Sequence, residues 1–479
     1  MNFGITNSIF DDGMKFADIT PIFKKDESIR KENYRPISCL PAGSKIFERI
    51  LQKRIATYIE TYLSPFLCGY RKGYCAQCAI IMSLEKWRIA LDNKGCGGAI
   101  LMDLSKAFDS LNHELLIAKL NAYGFTHSSL CLIYSYLSDR WQRTKINNTF
   151  STWAEILLGV PQGSILGPLL FNIYLNDLFF IDIESDLCNF ADDNTLYVCD
   201  MSLKVLVEKL ETSAKSVIQW FENNCMKLNE SKCKILISGN KEEVIIASVG
   251  GSKVIESHKV TLLGTHIDRE LKFDDHVNNK YKAAGKKLNA LIRLCNILPF
   301  HKRRMLMKAF IESQFAYSPL VSLFHSRILN NKINLLHYRA LTFVYQDETS
   351  TFQELLIKDK SVSMHHRNIQ YLAIELYKVK SGNAPFLINE IFTTRDIPEN
   401  SVVANLRSQT NFYNYHNPKT VRFGTETLRA LGPKIWNIIP SEIKNSASLV
   451  IFKRKIKGWT PVNCPCRLCL NYVEGLGFV

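Results

Sequence analysis

The spacing of apolar residues changes several times along this 479-residue chain. Residues 18–41 have no regular period, and basic and polar residues there alternate with Pro21, Pro36 and Pro41, so short strands and loops are expected. From Ser44 the pattern turns helical. Ile46, Phe47, Ile50, Leu51, Ile55, Tyr58, Ile59 and Tyr62 recur at three and four residues, predicting an amphipathic helix that ends before Pro65. Ala99-Ile100-Leu101-Met102 follows Gly95, Gly97 and Gly98 as a buried strand would, and it runs into Asp103. Asn112 is placed to cap a helix through Leu115, Leu116, Ala118, Lys119 and Leu120, with Glu114 in its first turn. After Gly163, residues 165–178 are apolar on most of a helical circumference, which marks a helix buried on most sides. Residues 187–190 and 195–198 flank Ala191-Asp192-Asp193-Asn194, the spacing of a β-hairpin whose tip uses the tolerance of Asp and Asn for unusual backbone conformations. Leu206, Leu210, Val217, Trp220 and Phe221 trace another helix, and residues 234–238 another strand. Residues 275–345 read as helical and basic, and 350–479 as a third region with loops such as 396–400. Strands and helices intermix, so the predicted fold is α+β.

With 46% hydrophobic and 22% charged residues the composition is that of a globular chain, long enough for about three units. The net charge is +15, and residues 272–340 hold thirteen basic against three acidic residues. That concentration favours an anionic partner, nucleic acid or acidic membrane, over scattered surface lysines. No charged start followed by an apolar stretch opens the chain, and no run reaches the ~18 apolar residues of a membrane helix. The expectation is an intracellular protein, of nucleus or cytoplasm, with no membrane partner and with its 14 cysteines reduced.

Transfer of a nucleotidyl group to a 3′-hydroxyl calls for two divalent cations ~3.5–4 Å apart. Hard cations such as Mg²⁺ take carboxylate oxygens. Asp103, at a strand end, and Asp192-Asp193, at a hairpin tip, offer them from rigid elements. An Asp pair in a turn is ordinarily a solvated loop. Its neighbours here argue otherwise. Asp103-Leu104-Ser105-Lys106-Ala107-Phe108-Asp109, Gly159-Val160-Pro161-Gln162-Gly163 and Phe190-Ala191-Asp192-Asp193 follow in order, and together they resemble motifs A, B and C of reverse transcriptases. The segments Thr20 to Lys25, Asn33 to Ser38 and Gly69 to Gly73 upstream, and Asn229 to Lys232 and Leu262 to Asp268 downstream, resemble the non-LTR retrotransposon branch, jockey-like elements in particular.

That resemblance implies a right-hand polymerase with fingers over 1–98, a palm with an antiparallel sheet over 99–275, a basic helical thumb over 276–345 and a C-terminal region over 346–479. It implies an RNA-directed DNA polymerase that extends a DNA primer on an RNA template with dNTPs. Two Mg²⁺ ions, with Mn²⁺ as a substitute, would sit on Asp103, Asp192 and Asp193, and the backbone of Leu104 would also meet metal. By the same resemblance Phe108 packs under the incoming sugar, Gln162 and Gly163 line the nucleotide and template, Arg35 meets the triphosphate with help from Lys24, and Lys232 protonates pyrophosphate. The family's Lys-Thr is here Lys232-Cys233, which makes Lys234 a possible substitute. Gly264, by resemblance, and Lys302, Arg303 and Arg304, by charge, are expected to touch nucleic acid. Bland readings stay open beside these: Phe108 as core, Gln162 as a helix cap, Arg35 as a surface charge with a packed stem.

Related elements carry an endonuclease ahead of the polymerase. This chain begins at the fingers and shows no further set of nuclease acids, so it reads as a truncated piece of a longer polyprotein. The competing functions are a catalytically inactive, truncated remnant that only binds RNA, and a group II intron maturase, whose splicing domain or His/Asn nuclease cluster is not evident. Cys464, Cys466 and Cys469 form a tail cluster with no later Cys or His. A structural zinc site wants four ligands, which His416 or a distant cysteine would have to complete, so zinc is not expected there.

Overall fold

The computed structural model describes residues 1–24, 26–239, 244–394, 412–415, 417–461 and 463–470; the loop at 396–400 and His416 lie outside them. The central element is an antiparallel sheet in the order Lys234–Ser238, Cys96–Ser105, Asp193–Asp200, Asp186–Phe190, with Lys227–Leu228 pairing the far end of Cys96–Ser105. Side chains alternate across it, as the period of a strand requires. Ile100, Met102, Leu104, Leu196 and Val198 enter one core, together with the helices Ala42–Ile59, His113–Ala122, His127–Leu137, Gly167–Leu175 and Leu203–Asn223. Ala99, Tyr197 and Leu236 enter a second, against helix Ala76–Asp92 and the C-terminal helices. A third core joins Asp274–Ile292, Phe300–Met307 and Arg327–Tyr345.

The predicted elements are present. The helix expected from Ser44 runs Ala42–Ile59. Asn112 caps His113–Ala122 by accepting from the Leu115 amide at 3.0 Å. The apolar stretch after Gly163 becomes Gly167–Leu175, buried at every position but Pro168, followed by a 3₁₀ turn over Asn176–Phe180. The strands Phe16–Phe23 and Tyr34–Cys39 pair as a hairpin and continue in parallel with Arg140–Ile146, a five-stranded second sheet whose later strands the sequence reading passed over.

Residues 417–461 are tied to the central sheet through helix Ala76–Asp92. Glu85, 1% exposed, accepts from the Leu428 and Arg429 amides, each at 3.1 Å, and from Arg88 Nη1 at 2.9 Å. A carboxylate at those free amides caps the first turn of helix Leu428–Ile438 from outside. Asp92 does the same for the Lys419 and Thr420 amides. Replacing Glu85 by alanine strands a buried guanidinium and two amides. The expected cost is about 3 kcal/mol, read by urea unfolding, with residues 417–461 becoming the first segment cut by protease.

Candidate active site

Asp103 and Asp193 face each other directly in the register of the two central strands. They therefore project from one face, where opposed Cβ atoms stand about 4.5–5.5 Å apart. Asp192 sits one residue earlier, exposed at the hairpin turn. The turn's strain is carried by Ala191, at φ +59°, and not by the acids or Asn194 as the sequence suggested. Side chains around it compensate. Asn189 Nδ2 donates to the Ala191 carbonyl at 2.7 Å and to Asn194 Oδ1 at 3.0 Å, and Asn194 Nδ2 donates to the Asp192 carbonyl at 3.3 Å. The loop at Gly69 packs against this turn so tightly that a Cβ there would lie 2.3 Å from the Ala191 nitrogen. Asn172 Nδ2, from the buried helix, holds the Gly69 carbonyl at 2.7 Å.

Convergence of three carboxylates has an electrostatic signature. Asp193 is pushed up to about 6, first by burial and then by the charges of Asp192 and Asp103. Lys232 and Lys24 act in the other direction. Lys232 Nζ donates to Asp103 Oδ2 at 2.7 Å from the short turn after Asn229, whose amide is held by the Asp103 carbonyl at 2.8 Å. Lys234 instead opens the neighbouring strand, opposite Leu101. A half-buried group of like charges is a cation site by its chemistry, since neutralisation relieves both the repulsion and the desolvation.

The facing wall comes from residues 107–111 and 159–167. The Val160 amide donates to the Phe108 carbonyl at 2.9 Å, the Gly159 amide to that of Leu111 at 2.7 Å, and Gln162 Nε2 to Asp109 Oδ1 at 3.1 Å. Gln162 is thus bound across the wall and is not a helix cap. Gly163 has φ +125°, and a Cβ would stand 2.8 Å from the Ser38 carbonyl, so neither backbone nor space admits a side chain. Glu48, fully buried, accepts from the Ile165 and Leu166 amides at 2.7 and 3.1 Å and fixes this loop to the first long helix. Phe108 stacks on buried Phe171 with ring centres 4.5 Å apart and meets Tyr70 edge-on at 6.0 Å. It is half-buried: one side is core, the other lies beneath the exposed Tyr70.

With that geometry in hand, the family profile described as "Reverse transcriptase (RNA-dependent DNA polymerase)" matches residues 22–267. The chain belongs to the reverse transcriptase family. The RNA-directed DNA polymerase from mobile element jockey of Drosophila melanogaster is 26% identical over 356 residues, covering 70% of this chain and 39% of that protein. The probable RNA-directed DNA polymerase from transposon X-element, of the same fly, is 30% identical over 276 residues, 55% of this chain and 30% of that one. The chain is a jockey-like reverse transcriptase domain spanning about two fifths or less of the length of these relatives. The apo telomerase from Candida tropicalis matches with a TM-score of 0.40 and 12% identity over 74% of this chain and 63% of that one. Family membership makes the antiparallel sheet the palm of a right-hand polymerase.

Other predicted residues of this reverse transcriptase domain fall at varying distances from the acids. Leu104 is buried and pairs with Leu228. Lys24 and Arg35 are both exposed on the hairpin of Phe16–Phe23 and Tyr34–Cys39, and the charge of Lys24 reaches Asp193. Gly264, with Leu263, forms the positive-φ tip between Lys259–Leu262 and Thr265–Asp268, and Leu262 and Leu263 share a small cavity with Asp193. The basic triplet needs correction. Arg303 is 7% exposed and donates to the carbonyls of Val344 at 3.0 Å, Leu298 at 2.8 Å and Cys295 at 3.4 Å, so it holds the surrounding helices together and cannot touch a phosphate. Arg304 is bound to Asp359 at 2.6 Å. Of the three, Lys302 alone is exposed, and Lys282, Lys286 and Lys287 form the open basic face of helix Asp274–Ile292. Glu48, Tyr70, Asn172 and Asn189 were missed. A buried Glu and three neutral polar residues leave no charge or periodic signal; only Tyr70, inside the segment Gly69 to Gly73, carried any.

Because the folded-state pKa of Asp193 is raised, the folded chain binds more protons than the unfolded one between roughly pH 4 and pH 6, and stability falls as pH rises through that window. In chelator at about pH 7.5, Asp193→Asn should therefore be more stable than the parent by about 2 kcal/mol. The difference should vanish below roughly pH 4, where the carboxyl is protonated in both states. Thermal unfolding across this range checks it; a pH-independent difference would detach Asp193 from the like-charge cluster.

Proposed function

We propose that this chain copies RNA into DNA, extending a DNA primer with dNTPs on an RNA template. Asp103, Asp192 and Asp193 would hold two divalent cations, Mg²⁺ or Mn²⁺ in its place. The observation that carries this reading is the direct pairing of Asp103 with Asp193 on the palm sheet, with Asp192 beside them and the Asp193 proton held up to about 6 by burial and by the like charges of its neighbours. When bound, such ions make the primer hydroxyl a better nucleophile and stabilise the leaving pyrophosphate.

The remaining work falls to side chains. Asp193 must be deprotonated to hold a cation, so cation binding to the empty cluster weakens as pH drops through about 6. Lys232, whose ammonium already reaches Asp103, is positioned to give a proton to departing pyrophosphate. Lys24 and Arg35 supply positive charge for the triphosphate from the fingers hairpin. Gln162, steered by Asp109, and Gly163, kept bare against Ser38, shape the floor beneath the nucleotide and template. The Gly264 tip supports the primer end, and the lysines of the thumb helix contact backbone phosphates. No helix among the described residues is long and apolar enough to cross a membrane, and the reading places the protein inside the cell, in nucleus or cytoplasm.

Primer extension on an RNA template with Mg²⁺ or Mn²⁺ is the test. Asp103→Asn or Asp192→Asn should lose several kcal/mol of transition-state stabilisation, roughly a thousandfold in rate, with melting temperature retained. Template binding without extension by the parent chain would leave the RNA-binding remnant.

Phe108 separates sugar selection from packing. If its ring blocks a ribose 2′-hydroxyl, discrimination depends on volume. Phe108→Tyr should keep the dNTP preference, while Phe108→Ala raises ribonucleotide incorporation more than it lowers dNTP efficiency. Loss of the stack on Phe171 alone would cost about 3 kcal/mol of stability and lower both kcat/KM values in proportion.

A further inference from the structure

Far from the carboxylates, the tail cysteines find a fourth partner that their sequence neighbourhood does not offer. The Sγ atoms of Cys464, Cys466 and Cys469 and a ring nitrogen of His365 all lie within 4.8 Å of one another. His365 stands in the first turn of helix Met364–Lys380, 101 residues before Cys466, and its Nε2 is 3.0 Å from that sulfur. Cys464, Cys466 and His365 are buried, at 3%, 5% and 5% exposure. Tetrahedral zinc, with Zn–S of about 2.3 Å and Zn–N of about 2.0 Å, separates its donors by roughly 3.5–3.8 Å. To reach that, pairs wider than this contract, while His365 and Cys466, now 3.0 Å apart, open by about half an ångström.

Simple packing accounts for buried thiols one at a time, since a free cysteine behaves as a small hydrophobe. It does not account for three thiols turned towards one imidazole nitrogen. We propose that His365, Cys464, Cys466 and Cys469 bind one structural zinc ion. On binding, three S–H protons leave to solvent as three Zn–S bonds form, and neutral His365 adds a nitrogen lone pair; no oxidation state changes. With four protein ligands the coordination sphere is closed, which is the arrangement of a structural site and leaves no position for a reacting water. Soft thiolates with one imidazole select zinc over Mg²⁺ or Ca²⁺, so this site does not compete with the carboxylates for their ions.

Such an ion has a mechanical consequence. Helix Met364–Lys380 lies in the same core as Tyr197 and Leu236 of the palm sheet. The following chain is laced to it by Gln370 Nε2 donating to the Trp459 carbonyl at 2.8 Å and Tyr377 hydroxyl donating to the Ser446 carbonyl at 2.5 Å. Zinc extends that lacing beyond Trp459 and fastens the tail at the N-terminal end of the helix.

The test uses the full chain produced in zinc-replete medium, with elemental analysis, cobalt(II) substitution and mass mapping of thiols. The expected result is one zinc per chain, visible absorption from cobalt in a tetrahedral thiolate field, and, on chelation, a lower melting temperature with cleavage near residues 459–470. Cys466→Ser and His365→Ala should drop zinc content to about a tenth or less, while His365→Cys restores it. His366 is the rival ligand, its Nε2 3.7 Å from Cys469 Sγ, and His366→Ala should leave zinc content unchanged. The proposal is overturned by a metal-free chain from replete medium, by full zinc content in a Cys464→Ser/Cys466→Ser double variant, by dependence on His366 in place of His365, or by a disulfide among the three cysteines. Should the variants fail to fold, the cobalt spectrum of the parent chain decides alone.

Discussion

Two carboxylates opposed across adjacent antiparallel strands repel one another, and like charges at directly paired positions weaken a sheet. Here the pairing of Asp103 with Asp193 is the last of eight consecutive pairs that begin at Cys96 and Asp200. The seven preceding pairs, with apolar residues on both faces, fix the register that the acids by themselves would avoid. A slip of one residue would turn Asp103 to the opposite face and send Ile100 and Met102 out of the first core. Burial of both faces is therefore a condition for the acids to stand together, and the helices on either side serve the site by making any other register costly.

Holding the acids close also requires their turn to be rigid, and that comes from another part of the chain. The Cys68 amide donates to the Asn189 carbonyl at 2.8 Å, and the Asn189 amide to that of Phe66 at 3.0 Å. Gly69 then lies flat on Ala191, and Asn172 anchors Gly69 from the buried helix. The loop at Gly69, the turn at Ala191 and the buried helix Gly167–Leu175 form one hydrogen-bonded unit. Strained residues in it are Tyr70, at φ +57°, and Ala191, whose positive φ is compensated by the Asn189 side chain. Had an acid carried that strain, its carboxylate direction would be coupled to the turn's distortion; with Ala191 carrying it, Asp192 and Asp193 flank the kink.

Elements built on local pattern were legible in the sequence: the Ala42–Ile59 helix by its period, the cap at Asn112, the buried helix after Gly163 and the palm hairpin. The acids were legible by order and resemblance. What stayed hidden depends on distance along the chain. The fourth partner of the tail cysteines is a histidine 101 residues away, and Glu85 is 343 residues from the amide it caps. Neither has a local signature, because a carboxylate at a foreign helix terminus looks in sequence like any charged position on an amphipathic helix. Glu48, capping the loop before Gly167 from helix Ala42–Ile59, is the same case beside the candidate site.

Charge shows most clearly how a sequence count can mislead. Thirteen basic residues between 272 and 340 suggest a continuous phosphate-binding surface. Yet a guanidinium, with five donors in a rigid fork, is also suited to collecting orphan carbonyls at helix ends, and Arg303 does this for segments around Cys295, Leu298 and Val344. Its charge is spent between those segments. Arg304 is neutralised by Asp359, and Lys280, bonded to the Tyr317 carbonyl, is pushed down to about 8 by burial. The positive field left at this surface thus comes from the basic residues that stay exposed, among them Lys282, Lys286 and Lys287 along one helix, Arg293 at its end, and Lys302, Lys308, Arg327, Lys332 and Arg339 beyond it. Lysine is a hydrated point charge on a flexible stem. On the proposed function, a surface of that kind would hold a duplex by its phosphates while letting it slide, which is what a polymerase must allow at every added nucleotide.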